Sequence, residues 1–156
     1  MKLKIIFLLS LKILLCLLCF NPLNIKENNY YSNGYHLIID SINMDIFFEE
    51  NSTLNEGLEL HEISKNNGPL IISGHSGTGS LALFNDLEYL EKGVIIKIIH
   101  ENYQKEYKII DVISYEKFSK VNIPDDNSYL YLITCDKYDM QKQLIIDAKL
   151  ANIIYF

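Results

Sequence analysis

The sequence predicts an all-β fold with one short helix. After Gly34 the apolar residues fall into short runs in which Ile, Val and Tyr predominate, as in β-strands. Asn, Asp, Gly or Pro separates most of these runs, which is typical of the turns between strands. Only residues 81–92 carry leucines at helical spacing, and Gly93 follows them as a stop signal. About seven or eight strands with one helix favour a barrel or a sandwich.

The runs also indicate how the strands are arranged. Residues 94–113 predict a hairpin with its turn near ENYQK, because both arms are apolar at alternate positions. The run SYLYLITC is apolar on both faces, which is typical of a central strand, and it places Cys135 at the end of that strand. In chain order, the expected strands are residues 35–40, 44–48, 69–73, 94–100, 107–113, 129–134 and 143–156.

An apolar segment opens the chain. Residues 1–23 contain no acidic residue and run almost unbroken in Ile, Leu, Phe and Cys, which is typical of a targeting or membrane segment. As a helix, residues 5–20 would span about 24 Å, less than the roughly 30 Å of a hydrocarbon core, and Lys12 interrupts them. No small-x-small pair ends the run, so we favour an uncleaved signal anchor over a cleaved signal peptide. Residues 24–33 are then a linker, and residues 34–156 form an exported domain.

The exported domain is acidic. Residues 24–156, which exclude the three lysines of residues 1–23, contain 11 lysines and 20 acidic residues, which gives a net charge of about −9. Such a charge argues against nucleic acid and anionic lipid as partners. The chain contains no Arg and no Trp, whereas Asn, Ile, Lys and Tyr are abundant. We therefore expect no nucleic-acid partner, and membrane association through the N-terminal helix.

A single cysteine lies in the exported domain. Cys16 and Cys19 belong to the apolar segment, which leaves Cys135 without a partner for an intramolecular disulfide. A solitary cysteine in an exported protein is either an inert buried thiol or a reactive one. Composition alone favours the inert thiol, so the surroundings of Cys135 decide between the two.

The run GHSGTG at residues 74–79 has three interpretations. A nucleophile elbow requires G-x-S-x-G directly before a helix, but Thr78 stands where the second Gly should be. A phosphate loop requires a Gly-Lys-Ser/Thr ending, which this run lacks. The third interpretation is a Gly-rich turn that holds His75 by hydrogen bonds or presents it to a residue further along the chain.

His75 and Cys135 stand 60 residues apart, each at the C-terminal end of a predicted strand. Two neighbouring strands that end at the same rim of a sheet would bring the imidazole and the thiol together. A cysteine thiol with a pKa of about 8.5 is only a few per cent ionised at neutral pH, and a nearby imidazole can take its proton and later protonate a leaving amine. With a third group that orients the base or binds an oxyanion, such a pair can catalyse acyl transfer.

Three segments, in this order, resemble the sortases, the cysteine transpeptidases that attach proteins to the cell wall of Gram-positive bacteria. YHLIIDSINMDIFF resembles the opening strand pair of that family. GPLIISGHSGTGSLALFNDLEYLEKGVIIKI resembles its G-x-x-x-I-x-G-H segment with the F-x-x-L and L-x-x-G that follow, and YLYLITCD resembles its T-L-x-T-C signature. The resemblance covers about residues 34–150, nearly the whole exported part.

The resemblance implies an eight-stranded β-barrel with one or two short helices, preceded by a membrane helix that holds the domain on the extracellular side of the cell membrane. It also implies cleavage of an LPXTG-like sorting signal between Thr and Gly, and transfer to an amine of a peptidoglycan precursor or a pilin. Carried over to this sequence, Cys135 is the nucleophile that forms the thioacyl intermediate and His75 is the acid and base. Thr134 precedes the nucleophile as in the family, and we expect it to take part in substrate binding.

One departure concerns the arginine with which the family binds the substrate carbonyl and the developing oxyanion at the start of the last strand. Here Gln143 occupies that place, with Lys142 beside it, and the chain has no arginine to substitute. A Gln amide donates hydrogen bonds but has no charge and no bidentate fork. We expect Gln143 to donate to the carbonyl oxygen, and Lys142 to be solvated, because side chains alternate along a strand.

Two other functions stay open. A barrel that has lost the arginine could bind sorting-signal peptides without catalysis, although such a module would not need a thiol at its rim. A thiol hydrolase would use the same His75 and Cys135 and would pass the thioester to water. The short segment 114–127, where the family has its specificity loop, contains Pro124 and favours a compact, open groove.

No cofactor is expected. His36, His61 and His100 are interpreted as surface or strand-edge residues, since no pair of histidines has the spacing of metal ligands. The acidic residues of DIFFEEN and HEIS could bind calcium, as in some sortases, but a solvated acidic face is the simpler interpretation.

Overall fold

The computed structural model describes residues 34–61 and 68–156, which form one β-sheet with two short 3-10 helices. The helices are Asp40–Ile42 and Asn85–Tyr89. The strands are β1 (Gly34–Ile39), β2 (Met44–Glu49), β3 (Glu59–Leu60), β4 (Leu70–Ser73), β5 (Ile95–His100), β6 (Tyr103–Glu116), β7 (Tyr129–Cys135) and β8 (Lys142–Tyr155).

The eight strands lie in the order β2-β1-β5-β6-β8-β7-β4-β3 and form a nearly closed barrel. Neighbouring strands are antiparallel except for β4 and β7, which run parallel. The two longest strands, β6 and β8, pair along almost their whole length, with register shifts after Glu106 and Ile109 that bend the sheet. The all-β class that the sequence predicts is therefore confirmed. Of the barrel and the sandwich that the pattern left open, the structure shows the eight-stranded barrel that the family resemblance implies.

Seven of the eight strands lie where the sequence predicts them, with ends that differ by a few residues. The exception is β3, which is only two residues long and therefore shows no alternation in the sequence. The predicted hairpin is formed by β5 and β6, in which His100 lies opposite Tyr103. Its turn consists of Glu101 and Asn102, and Glu101 adopts a left-handed backbone with φ of 47°.

The prediction of a helix over residues 81–92 is wrong in length and type. The segment contains the 3-10 helix Asn85–Tyr89, with turns before and after it. Phe84, Leu87 and Leu90 are buried, and their spacing of three matches the three residues per turn of a 3-10 helix. The amides of Leu87 and Leu90 accordingly donate to carbonyls three residues earlier in the chain. The buried stripe therefore uses Phe84 in place of Leu83.

Two apolar clusters pack on opposite faces of the sheet. The inner cluster fills the barrel and contains Leu130 and Leu132 of β7. The outer cluster lies on the outer face of β4, β7 and β8, where the loop 117–128 crosses β8. It consists of Ile71, Tyr131 and Ile145, with Tyr115, Val121, Ile123, Tyr129 and Ile133 packed against them. Because β7 contributes to both clusters, its predicted place as a central strand is confirmed.

The predicted signal anchor of residues 1–23 and the linker of residues 24–33 lie outside the described residues. In residues 34–61 and 68–156, no helix has the length and apolar character that crossing a membrane requires.

Asp147 is a carboxylate in an unfavourable place. It lies on the outer face of β8, opposite Tyr131 of β7 and Asp111 of β6. One of its oxygens is buried and has no hydrogen-bond partner among the described residues. Burial, and to a smaller extent the charge of Asp111, raises the pKa of Asp147. The folded chain thus binds this proton more tightly than the unfolded chain, whose reference value is 3.8.

Replacing Asp147 by asparagine is expected to stabilise the protein near neutral pH. A raised pKa in the folded state means that stability is lost as the pH rises from the unfolded value through the folded one. The neutral amide removes this loss, so Asp147→Asn should raise the melting temperature near pH 7 and change it little near pH 3. Asp125→Asn, at an exposed position of the loop 117–128, is the control and should have little effect at either pH. A melting temperature near pH 7 that is unchanged or lower in Asp147→Asn would contradict this account.

Candidate active site

Two parallel strands end at the same edge of the barrel. β4 and β7 pair with Ser73 opposite Ile133, so the chain leaves both strands at the same level. Cys135 is the last residue of β7, and His75 follows β4 by two residues. The neighbouring strand ends that the sequence predicts for His75 and Cys135 are therefore found.

Two hydrogen bonds tie the backbone around His75 to the strand of Cys135. The amide of Gly74 donates to the carbonyl of Ile133 at 3.1 Å and extends the ladder beyond β4. The hydroxyl of Ser76 donates to the carbonyl of Cys135. His75 is exposed, whereas Cys135 is half-buried and is a free cysteine. The histidine is thus held beside β7 by its two neighbours, and its side chain is left open to solvent.

The loop that follows His75 is fixed by one side chain. Asn85 accepts a hydrogen bond from the amide of Gly77 at 2.7 Å and donates one to its carbonyl at 3.0 Å. The amide of Phe84 donates to the carbonyl of His75 at 2.9 Å and closes the loop at its base. Gly77 has φ of 113°, a conformation that side chains disfavour. The Gly-rich run is therefore an ordered turn, and it leaves the His75 side chain exposed at the end of β4, which agrees with the interpretation that the run presents this histidine.

An open depression of about 330 Å³ lies against this loop. His75, Ser76, Thr78, Gly79, Ser80, Leu81 and Ala82 line it. Its polar rim and its exposed imidazole give a second molecule access to His75 from solvent.

Gln143 lies directly opposite Cys135 across β7 and β8. Directly opposed residues of antiparallel strands project their side chains from the same face of a sheet, so the amide and the thiol share the outer face. Tyr115 of β6 lies opposite Gln143 on its other side and belongs to the same row. Lys142 precedes Gln143 and therefore points to the other face, where it pairs with Asp139 at 3.3 Å.

Thr134 lies on the opposite face from Cys135. Its side chain is buried, and its hydroxyl has no hydrogen-bond partner within the described part of the chain. Leu130 and Leu132 belong to the inner cluster. Thr134 follows them at the same alternate spacing on β7 and therefore lies on the same face. The Thr134 hydroxyl therefore faces the barrel interior, away from the thiol.

The turn between β7 and β8 is organised by Asp136, the residue after Cys135. Its carboxylate accepts hydrogen bonds from the amides of Tyr138 and Asp139 and from the hydroxyl of Ser114. These bonds hold the pKa of Asp136 below its usual value, with the Tyr138 amide as the largest cause. Asp136 thus links the turn between β7 and β8 to itself and to Ser114 of β6.

An ion pair bridges this turn to the short helix on the histidine side. The ammonium of Lys137 lies 3.0 Å from the carboxylate of Glu88, which belongs to the 3-10 helix Asn85–Tyr89. The hydrogen bond from Lys137 holds the pKa of Glu88 below its usual value. The pair thus links the turn after β7 to the 3-10 helix that follows the His75 loop.

Apolar groups surround the row of Cys135 and Gln143. The outer cluster supplies a floor of Ile, Val and Tyr side chains next to it. Around it, four large apolar side chains are exposed, namely Tyr89, Phe118, Tyr138 and Met140. The amide of Lys117 bonds to the carbonyl of Gln141 at 2.7 Å, which joins the loop of Phe118 to the turn of Met140. Such a surface suits an extended peptide with apolar side chains better than a small polar molecule.

The other three histidines contact neighbouring side chains or backbone. His36 lies 3.3 Å from Asp45, His61 bonds to the hydroxyl of Ser73 at 2.7 Å, and His100 bonds to the carbonyl of Gly34 at 2.9 Å. The described residues contain no group of three or more His, Cys, Asp or Glu side chains that could hold a metal ion.

Several residues that shape the site are not found by sequence reasoning. Ser76 and Asn85 act through bonds to backbone atoms that are distant in the chain, and no local pattern signals such bonds. Tyr115 is brought to the row by the pairing of β6 with β8. Asp136 had a usable signal, because an aspartate followed by polar residues between two strands is typical of a side-chain-capped turn.

Comparison with known proteins agrees with the resemblance of the motifs. A family model described as Sortase domain matches residues 37–151. The structure of Listeria monocytogenes sortase A is similar with a TM-score of 0.68 at 17% identity, over 78% of this chain and 89% of that chain. A Clostridium perfringens sortase D5 transpeptidase is similar with a TM-score of 0.64 at 23% identity, over 81% and 86% of the two chains. No curated protein sequence matches the chain.

Streptococcus pneumoniae sortase C is also similar, with a TM-score of 0.64 at 22% identity, over 79% of this chain and 70% of that chain. These low identities show a shared barrel, whereas the family model covers most of the chain, including β4, β7 and the part of β8 that contains Gln143. The chain therefore belongs to the sortase family of cysteine transpeptidases.

Proposed function

We propose that this chain is a membrane-anchored transpeptidase that cleaves an LPXTG-like sorting signal, with Cys135 as nucleophile, His75 as acid and base, and Gln143 as donor to the oxyanion. The register of the sheet carries the proposal. Gln143 lies directly opposite Cys135 on β8, and the bonds of Gly74 and Ser76 hold the histidine's backbone against the cysteine's strand on the other side. This arrangement supports a thiol with a base on one side and a hydrogen-bond donor on the other, as acyl transfer requires.

The first step acylates the thiol. His75 takes the proton of the Cys135 thiol, and the sulfur attacks the carbonyl carbon of Thr in the Thr–Gly bond of the signal. The carbonyl electron pair moves to oxygen and forms the oxyanion. When the C–N bond breaks, its electron pair stays on the glycine nitrogen, to which the imidazolium returns the proton. The products are a thioester on Cys135 and a peptide with a free amine.

The second step transfers the acyl group. The amine of a cell-wall precursor or a pilin attacks the thioester, His75 takes a proton from it, and the C–S bond breaks. The sulfur keeps the electron pair and recovers the proton, so both residues return to their starting states. The exposure of His75 beside an open depression supports this step, because the base has to meet an amine that arrives from solvent.

The surface around the thiol supports the proposed substrate class. The outer cluster offers an apolar floor, and Phe118 and Met140 project from the loops beside it. An extended peptide with apolar residues before the cleaved bond would bury these groups. A sorting signal with Leu and Pro before its Thr has this character, which supports it as the substrate.

Gln143 is expected to replace the family's arginine as the oxyanion donor. Gln143→Ala should lower kcat/KM for peptide cleavage about 100-fold, because removing one oxyanion donor costs on the order of 10² to 10³ in rate. Gln143→Arg should retain or raise activity, since the guanidinium can also reach the outer face. Lys142→Ala is the control on the other face and should change kcat/KM less than about 3-fold. Equal activity of Gln143→Ala and the wild-type chain would remove Gln143 from the mechanism.

The function itself is tested by incubating the full chain with an LPXTG-type peptide and an amine acceptor, and by separating the products chromatographically. A product that carries the amine supports the transpeptidase. Cleavage to the free acid alone identifies a thiol hydrolase. Peptide binding without any cleavage overturns the proposal and leaves a binding barrel.

A further inference from the structure

A cavity of about 170 Å³ lies at the end of the barrel opposite the thiol. Leu70, the first residue of β4, and Asn127, which precedes β7, line it, whereas the thiol stands at the other end of β7. Its remaining polar lining consists of Tyr35, Tyr103, Lys105 and Tyr107. Neither Cys135 nor His75 contributes to it, so it is separate from the candidate active site.

Lys105 points into the barrel. It lies on β6 directly opposite Ile98 of β5, whose side chain is buried in the inner cluster, and directly opposed residues share a face. Lysine is rarely found on the inner face of a small barrel, because burying an ammonium is costly unless a counter-charge compensates it. Burial accordingly lowers the pKa of Lys105.

No carboxylate compensates Lys105 within residues 34–61 and 68–156. It takes part in none of the ion pairs found there, and its ammonium lies 5.4 Å from the ring centre of Tyr103. Glu50 and Glu101 are near enough to raise the pKa of Tyr103 by their charge, after the larger effect of burial. Glu101 is exposed, and neither Glu50 nor Glu101 forms an ion pair with Lys105. Among the residues described, the charge of Lys105 therefore has no counter-charge in contact with it at the mouth of the barrel.

Tyr107 supplies a second uncompensated group. It lies on the same face of β6 two residues further, its side chain is fully buried, and its hydroxyl has no hydrogen-bond partner among the described residues. A buried hydroxyl without a partner destabilises the folded chain, because it has given up its hydrogen bonds to water and gained none. Burial raises the pKa of Tyr107 and raises that of Tyr35 to about 12, so both phenols keep their protons near neutral pH and can donate.

We propose that this cavity binds a small oxyanion, a carboxylate or a phosphate group, held by the ammonium of Lys105 and the hydroxyl of Tyr107. The cavity presents one cation and several hydrogen-bond donors, and no carboxylate lines it. Its volume equals about five to six times the share of one liquid water, which is enough for such a group. The oxyanion would be a counter-charge for Lys105 and a hydrogen-bond acceptor for Tyr107, so one ligand would supply the missing partners of both side chains. The proposal does not depend on transpeptidase activity.

The test uses the full chain in detergent and measures its melting temperature in sodium phosphate, sodium acetate or sodium chloride at equal ionic strength. Binding to the folded state alone should raise the melting temperature by about 3 °C at an anion concentration near ten times the dissociation constant. Lys105→Met removes the charge at similar volume and should abolish the rise. Lys108→Met, at an exposed position of the same strand, should keep it.

Tyr107→Phe is a second variant, which tests the proposal even if Lys105→Met does not fold. Removing an unpartnered hydroxyl should leave the melting temperature in chloride equal or higher, while the rise in the binding anion should fall at least by half. A rise in phosphate alone supports a phosphate-bearing ligand, a rise in acetate alone supports a carboxylate, and a rise in both supports the shared chemistry. The proposal is overturned by no rise in either anion, or by an equal rise in the wild-type chain and Lys105→Met, which would be a general salt effect.

Discussion

Cys135→Ala is expected to abolish peptide cleavage and transfer, with a loss in kcat of at least about 10⁴-fold. The thiol provides the atom that is acylated, and nothing else on the outer face of β7 can take its place. In a serine protease, which uses an analogous nucleophile and base, removal of the nucleophile costs on the order of 10⁶ in kcat. The measurement is the rate of product formation from a sorting-signal peptide.

The fold should survive this change. Cys135 is half-buried, carries no disulfide and ends its strand, so its replacement removes one sulfur atom from the edge of the sheet. The melting temperature of Cys135→Ala should stay within about 3 °C of the wild-type value. Cys135→Ser is the matched control for shape, and it should be equally inactive because a serine hydroxyl is not ionised by an imidazole alone. A variant without the thiol that still cleaves the peptide would contradict the assignment of the nucleophile.

Gly74→Ala should have the largest effect on stability of any single methyl addition near the site. A Cβ on Gly74 would lie 2.6 Å from a methyl of Leu58 and 2.7 Å from the ring of Phe84. Both side chains are buried in the inner cluster and cannot move aside without disturbing it. Overpacking of this kind costs about 3 kcal/mol. The cost should appear in the free energy of unfolding measured with denaturant.

Activity should fall together with stability in Gly74→Ala, because the same backbone positions His75. Gly79→Ala is the matched control in this loop, since a Cβ there meets nothing within 4 Å and only the φ of 120° opposes it. Its cost should be about 1 kcal/mol. Leu58→Ala, added to Gly74→Ala, removes the clashing methyl and should cost less than the sum of the two single changes. Strictly additive costs would show that the clash is not the cause.

The strands were predictable because each has a buried face and an alternating pattern, and β7 stood out because both of its faces are apolar. The helix at residues 81–92 was assigned the wrong period. The spacing of Leu83, Leu87 and Leu90 suits an α-helix, but the buried side chains are Phe84, Leu87 and Leu90, whose spacing of three suits a 3-10 helix. A sequence with both patterns gives no basis for choosing, because the choice depends on which side chains meet the barrel.

The positions of the site residues at the ends of strands could be predicted from the sequence. His75 and Cys135 each follow an apolar run, and the parallel pairing of β4 with β7 keeps their offset of 60 residues. Gln143 was expected from the family's pattern, and the pairing of β7 with β8 gives it its physical position. The inward direction of Lys105 could not be predicted, because both alternating sets of residues in YQKEYK contain polar side chains and the pattern does not show which set faces the core. Only its pairing with Ile98 decides the direction.

The most direct test of the catalytic assignment is the intact mass of the full chain after brief incubation with an LPXTG-type peptide, with and without an amine acceptor. We predict a mass increase equal to the acyl part of the peptide, located on Cys135, absent in Cys135→Ala, and lost with formation of the amide when the amine is added. A wild-type chain that binds the peptide yet never gains this mass would contradict the account, and Gln143 would then mark a barrel that binds sorting signals without cleaving them.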